Sequence, residues 1–271
     1  MSTLATLIDG GHDVTCYEPG SVMGERSADS TRIFRLAHTD PELVRVAQVA
    51  RDRFERWSSA AARPVLVHSG CVVTGTDTAD RATAMAVAGA NYELIGTGSD
   101  RLRIPVVDAP AVALLDVGGG VVVVDAVRDH LKARAGHAIV REPVFVLGIS
   151  AAGAAVVTTA GGVAEFDAVV LAAGASTSHL AAQVGIHTPP LLAHHVRFTF
   201  AVDGSGWQAW IDKPANGIST YQHEAGPGLW AVGGQVDPAE VAWERGRESA
   251  VAASRRVIAE YAARYLTVRP E

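Results

Sequence analysis

Residues 7 to 20, LIDGGHDVTCYEPG, read as the tail of a helix, a turn at Gly10-Gly11, a short apolar strand and an acid, Glu18, at the strand's end. This is the second half of a dinucleotide-binding unit. In such a unit a first strand and a G-x-G-x-x-G turn precede the helix, and the acid lies about 20 residues beyond the glycines, where it can accept both hydroxyl hydrogens of a ribose. Here Met1 already stands inside the helix, and no G-x-G-x-x-G occurs in the 271 residues.

Composition narrows the function classes. With 48% hydrophobic and 19% charged residues the chain is globular and long enough for an enzyme core. The formal net charge is -6 and no Lys/Arg run is present, which argues against nucleic acid as a partner. Cys16 and Cys71 lie in apolar strand-like segments without C-x-x-C spacing, so they read as buried thiols in a reducing cytoplasm. The longest apolar runs, such as AVVLAAGA at 168–175, are too short for a membrane span, and no signal peptide is visible. His194 and His195 are neighbours on a strand and point to opposite faces, so they predict no metal site. Ser176 has no recognisable triad partner.

Periodicity predicts a helix over Pro41 to Trp57, capped by Asp40 with Pro41 at its first position. PVLVHSGCVVTG (64–75) reads as a hairpin turned at Ser69-Gly70, and RATAMAVAGA (81–90) as a weaker helix. Residues 118–140 predict a strand or short turn, a helix with its stop at Gly136 and another strand. Residues 143–175 predict a three-stranded meander running into one apolar strand buried on both faces. From Pro189 the texture becomes that of an antiparallel sheet, closed by a helix over Val241 to Tyr265.

Three pieces bear on chemistry. Glu18 is either a ribose acceptor or a solvated strand-end acid. Arg32 and Arg35, in STRIFRLAH (30–38), either serve a flavin and a carboxylate or lie on a surface turn. FDAVVLAAGA (166–175) ends in small residues that let a ligand approach the backbone.

In this order and spacing the pieces resemble the FAD-dependent D-amino-acid oxidase superfamily, on the sarcosine oxidase and N-methyltryptophan oxidase side. The resemblance runs through STLATLIDGGHDVTCYEPG (2–20), DSTRIFRLAH (29–38), HSGCVVTG (68–75), FDAVVLAAGASTSHL (166–180) and ANGISTYQHEAGPGLWAVGG (215–234). It implies an α/β fold in which a three-layer, Rossmann-like FAD-binding domain, residues 1–75 and 117–189, interleaves with a mostly antiparallel substrate domain, residues 76–116 and 190–271. It also implies FAD as cofactor and a small amine or amino-acid substrate, oxidised at its CH–N bond by hydride transfer to flavin.

By the same resemblance Glu18 takes the adenosine ribose, Ser27 and Thr31 lie near the pyrophosphate, Val144 meets the adenine and Gly174 lies close to the cofactor. Arg32 lies against the flavin ring as the catalytic residue. Arg35 clamps the substrate carboxylate, and Thr220 and Gln235 stand where family members place substrate-contacting Tyr and His. The chain also departs from the family. Ala231 stands where relatives carry a Lys that helps flavin react with oxygen, which implies slow reoxidation in air. Ser176 replaces a typical Trp, and the family's G-x-G-x-x-G strand and C-terminal flavin segment are missing. The alternative is a truncated or degenerate, non-catalytic member that binds a carboxylate ligand or a protein partner. By itself the 271-residue chain is expected to bind FAD weakly or not at all, because nothing in residues 1 to 10 replaces the missing glycine turn, and tight stoichiometric FAD after dialysis contradicts the expectation.

Overall fold

The computed structural model describes residues 1–24, 27–96, 98–136, 138–141, 143–151, 154–188 and 192–270. Helix α1 (Ser2–Asp9) leads to β1 (Thr15–Tyr17), β2 (Thr31–Phe34) and α2 (Pro41–Ala60). Next come β3 (Leu66–Val67), β4 (Cys71–Gly75), α3 (Thr78–Val87), β5 (Tyr92–Gly96), β6 (Val112–Asp116) and β7 (Gly120–Val123). The middle of the chain forms α4 (Val124–Arg134), β8 (Ile139–Arg141), β9 (Val146–Ser150), β10 (Ala155–Thr159), β11 (Gly162–Phe166) and α5 (Thr177–Ala182). The last elements are β12 (Arg197–Ala201), β13 (Ala209–Lys213), β14 (Thr220–Gly226), β15 (Leu229–Gly234), α6 (Arg247–Tyr265) and β16 (Arg269–Pro270).

Chain contacts divide the molecule into two compact units, one of residues 1–28 and 128–192, the other of residues 29–127 and 193–271. Residues 29–75 and 117–127 thus fall with the larger unit, and the change of texture expected at Pro189 lies outside the described residues.

In the smaller unit β1 and β8 pair in parallel, Cys16 opposite Val140, as a dinucleotide-binding half requires. Strands β9, β10 and β11 form the expected antiparallel meander. The apolar run that follows does not become a buried strand. Residues 168–173 join no ladder among the described residues, and Val170 is 60% exposed. A strand apolar on both faces needs a neighbour at each edge, and the meander ends at Phe166 without providing one.

The larger unit is built on a mixed sheet of order β16-β12-β15-β14-β13-β4-β6-β5. Alternation along its strands makes two cores. One face carries Val72, Leu115, Phe200, Trp210, Trp230 and Val232 against Ile258 and Tyr261 of α6. The other carries Cys71, Val73, Leu114 and Ile211 against Leu36, Val44, Ala47 and Met85 from the β2–α2 segment and α3. Helix α2 starts as its sequence predicts, with Asp40 Oδ1 accepting from Glu42 N at 2.9 Å and Pro41 at the first position.

Two expectations need correction. Strands β3 and β4 are not a hairpin, because β3 pairs with β7 in a small β2-β7-β3 sheet while β4 pairs with β6 and β13. Ser69-Gly70 therefore hands the chain from one sheet to the other. The crossing is close: a Cβ on Gly119 would lie 2.6 Å from Cys71 Cβ, and one on Gly120 2.0 Å from Val67 O. The last helix begins at Arg247 rather than Val241, since Trp243–Arg245 form a short 3-10 turn and Gly246 breaks the helical path.

One buried acid ties this crossing together. Asp116, with 0% exposure, accepts from Leu36 N at 2.5 Å and Ala37 N at 3.0 Å through Oδ2, and from Gly118 N at 3.1 Å through Oδ1. Burial pushes its carboxyl up, and the backbone N–H groups of Leu36, Ala37, Gly118 and Gly119 oppose that shift. Asp116→Ala strands these buried donors and is expected to cost about 3 kcal/mol in urea unfolding. Asp203→Ala, which removes an exposed ion pair with Arg269, is expected to cost far less. Equal losses would deny Asp116 this role.

Candidate functional site

In the larger unit the residues just before and along β2 meet the inner face of the large sheet. Register decides which side chains they meet. Ile211, Tyr221 and Gly233 are cross-strand partners, as are His223 and Ala231, and Arg197 pairs with Gly233. Directly opposed residues share a face, so Arg197, Tyr221, His223, Ala231 and Gly233 present to one side. The ring of Tyr221 lies over Gly233, where a Cβ would come within 2.1 Å of its phenol oxygen. His195 stacks on the same ring, centroids 5.1 Å apart and planes 12° apart.

Thr31 Oγ1 lies 3.0 Å from His223 Nε2, which joins β2 to β14. Arg197 Nη1 lies 3.3 Å from the same nitrogen, and its Nη2 pairs with Asp29 Oδ2. Arg32 Nη1 donates to Thr31 O at 2.8 Å and sits 3.3 Å from Asp29 Oδ2. Two guanidinium groups thus share one carboxylate, and the cluster keeps an excess positive charge. Burial lowers the pKa of both Arg32 and Arg197 from the ordinary arginine value without threatening their charge. Burial raises the Tyr221 phenol to about 12, against the pull of Arg197 and Arg32. Burial and then the same two cations hold His223 down to about 3, so its ring is neutral at pH 7.

Arg35 follows β2 and behaves differently. It is half-buried, its Nε is enclosed without a partner, and it makes no hydrogen bond or ion pair among the described residues. Burial, partly offset by Cys71, lowers its pKa from the ordinary arginine value. Its backbone neighbours Leu36 and Ala37 are the ones that Asp116 holds. Arg81, also buried, donates to Ala37 O and pairs with Asp77 at 2.7 Å. Lys213 Nζ meets Asp77 at 2.7 Å as well. Burial and the two arginines lower the pKa of the adjacent His38, and burial raises the thiol of Cys71. Arg35 is thus a guanidinium fixed by its backbone with its own donors unspent.

The other expected residues fall as follows. Thr31 is buried with its hydroxyl at His223. Thr220 points to the opposite face from Tyr221 and is 2% exposed. Its Oγ1 accepts from Gln222 Nε2 at 2.8 Å in a chain that runs on through Tyr261 and Asp212 to Thr74. Gln235 is exposed at the end of β15, its N–H donated to Ser219 O at 2.8 Å. In the smaller unit Glu18 directly follows β1, and its Oε1 accepts from Gly20 N at 3.3 Å. Val144 N donates to Glu18 O at 2.9 Å, which brings the two expected adenosine contacts together. Ser27 is exposed beside Glu25 and Arg26, which lie outside the described residues. Gly174 is exposed at φ +56° with open space where a Cβ would be. Among the described residues no His, Cys, Asp or Glu group is placed to hold a metal, and no helix is long and apolar enough to cross a membrane.

Sequence reading gives no role to Asp29, Arg197 or Tyr221 and takes His223 for a turn residue, whereas it lies inside β14. The alternation of TYQHEA (220–225) carried the signal for two of them, since it sets Tyr221 and His223 on one face and Thr220 and Gln222 on the other.

The smaller unit carries a parallel strand pair with Glu18 just beyond one strand, the arrangement of a nucleotide-binding half. The family model for FAD dependent oxidoreductases (DAO) matches residues 1–270, and the chain belongs to that family, whose cofactor is FAD. No curated protein matches it. Among solved structures it is similar to NikD, an unusual amino acid oxidase essential for nikkomycin biosynthesis, with TM-score 0.75 and 20% identity over 100% of this chain and 76% of that one. It is also similar to glycine oxidase from Geobacillus kaustophilus, with TM-score 0.67 and 21% identity over 87% and 68% of the chains. A third similar structure is L-proline dehydrogenase from P. horikoshii, with TM-score 0.71 and 16% identity over 98% and 75%. These likenesses establish the fold.

The neutral His223 has a measurable consequence. Its folded pKa lies below the unfolded value, so its contribution is complete above about pH 6.5 and is lost as the unfolded chain takes up a proton on acidification. Between about pH 6.5 and pH 4, wild type should lose up to about 1.4 kcal/mol per pH unit more than His223→Gln. Parallel stability curves would mean that the ring titrates freely in the folded protein.

Proposed function

We propose that this protein is an FAD-dependent oxidoreductase that oxidises the CH–N bond of a small amino acid or N-methyl amine bearing a carboxylate. The observation that carries the reading is Arg35, a half-buried guanidinium with no partner among the described residues, standing on a backbone fixed by Asp116. A planar fork of donors held this way matches a carboxylate bidentately. Arg32, Arg197 and Asp29 add a local positive excess, which favours an anionic substrate over a neutral one.

The chain's own groups fit FAD in part. Glu18, at the end of a parallel strand and bonded through its backbone to Val144, suits an adenosine ribose. Gly174 leaves the backbone open to close approach, and Arg32 has the charge and half-buried position suited to the polar edge of a flavin. The chemistry that FAD supplies when bound is acceptance of a hydride from a C–H next to nitrogen. The protein's share is orientation: Arg35 holds the carboxylate, and Tyr221, braced between His195 and Gly233, walls the substrate position. The domain assignment follows this reading, with cofactor contacts on Glu18, Ser27, Val144 and Gly174 and substrate contacts on the large sheet.

In flavin-loaded protein, Arg35→Lys is expected to lower kcat/KM for a carboxylate-bearing amine by about 2 kcal/mol, roughly thirtyfold, because an ammonium cannot reproduce the fork. Bleaching of the visible flavin band under anaerobic conditions reads the reaction. Unchanged kinetics in the variant, or no bleaching by any amino acid or N-methyl amino acid, would remove the reading.

A further inference from the structure

His223 has no exposed surface, and its two ring nitrogens have different surroundings. Nε2 meets Thr31 Oγ1 at 3.0 Å and Arg197 Nη1 at 3.3 Å, while Nδ1 is enclosed without a partner among the described residues. A guanidinium carries only N–H donors, so a bond from Arg197 requires the lone pair of Nε2. The Thr31 hydroxyl rotates to donate or accept and does not decide the matter, while the Thr31 carbonyl, which also reaches the ring, already receives N–H groups of Arg32 at 2.8 Å and Arg197 at 3.4 Å. In the opposite tautomer an Nε2–H would serve Thr31 but would face the N–H of Arg197. Arg197 is not free to turn away, because Asp29 holds its other nitrogen and Thr31 O lies 3.4 Å from Nη1.

We propose that Arg197 is a positioning residue that holds His223 as the Nδ1–H tautomer, and that this N–H is the donor offered to a carbonyl or carboxylate oxygen of a ligand on this face of the sheet. The proposal rests on reading that face as the substrate side. A buried donor without an acceptor is unfavourable, so the ring gains when such an oxygen arrives. The excess positive charge of Arg32 and Arg197 over Asp29 draws the same kind of group. His223 stays neutral throughout and so acts as a fixed donor, with no proton to give up or take.

Long-range proton–nitrogen correlation spectra of protein labelled with nitrogen-15 histidine test this at pH 7, with the His223 signals assigned by their loss in His223→Gln. The expected wild-type pattern has a protonated Nδ1 and an unprotonated Nε2. Arg197→Met is expected to move the proton to Nε2, and Arg197→Lys, which keeps a donor, to restore it to Nδ1. Sodium acetate should shift the Nδ1 proton in wild type but not in Arg197→Met, with sodium chloride of equal ionic strength as the control. An Nε2–H in wild type, or an Nδ1–H that survives Arg197→Met, would overturn the positioning role. A correct tautomer that acetate leaves unmoved would overturn the donor role. The tautomer is read without cofactor or turnover, so its failure is separable from a failure of the oxidoreductase reading, which the flavin band reports.

Discussion

A single carboxylate, that of Asp116, fixes where the β2 segment sits on the large sheet. It has no exposed surface, and it receives the N–H groups of Leu36, Ala37 and Gly118. Those groups belong to the segment just after β2 and to the turn between β6 and β7, and Asp116 lies 80 residues from Leu36. The bond network does what an apolar contact cannot, because it sets backbone direction as well as proximity. Arg35 immediately precedes Leu36, so its position follows from the same acid. Arg81 closes the arrangement from α3 by donating to Ala37 O.

A second constraint is electrostatic. Asp29 lies between Arg32 and Arg197, and without it two half-buried guanidiniums would repel across the β2–β12 approach. With it the cluster carries one net positive charge, and the neutral His223 and Tyr221 add none. The glycines of β15 complete the geometry, because Gly233 is the only residue type at that position that leaves room for the Tyr221 ring. The opposite face of the same sheet is stabilised by a closed polar chain, Trp230–Gln222–Tyr261–Asp212–Thr74, in which the donors end on acceptors. That chain is thus closed on itself, while the other face keeps enclosed nitrogens without a partner among the described residues at Arg35 and His223.

Local signals were legible in the sequence. Asp40-Pro41 announced the start of α2, and the Gly turn, apolar strand and Glu18 announced a parallel strand with an acid at its end. The Arg32/Arg35 pair stood out because both residues lie within one short segment. The partners that give the pair meaning did not, since Asp116 is 80 residues from Leu36, Arg197 is 168 from Asp29 and His223 is 192 from Thr31. Only strand register brings these together, and register is a tertiary property. The misread hairpin at 64–75 has the same origin: Ser69-Gly70 has the chemistry of a tight turn, but the glycines at 118–120 admit a crossing between two sheets instead. Residues 168–173 look like a buried strand by composition, yet composition does not supply the neighbouring strands that burial needs.

The role proposed for Arg35, placed by Asp116, is to select a carboxylate. It is tested most directly by the affinity of flavin-loaded protein for an amino acid and for the methyl ester of the same compound, in wild type and in Arg35→Met. The account predicts that wild type prefers the free carboxylate by about tenfold or more, and that the preference disappears in the variant. Equal affinity for acid and ester in wild type, or a preference that survives the loss of Arg35, would contradict it.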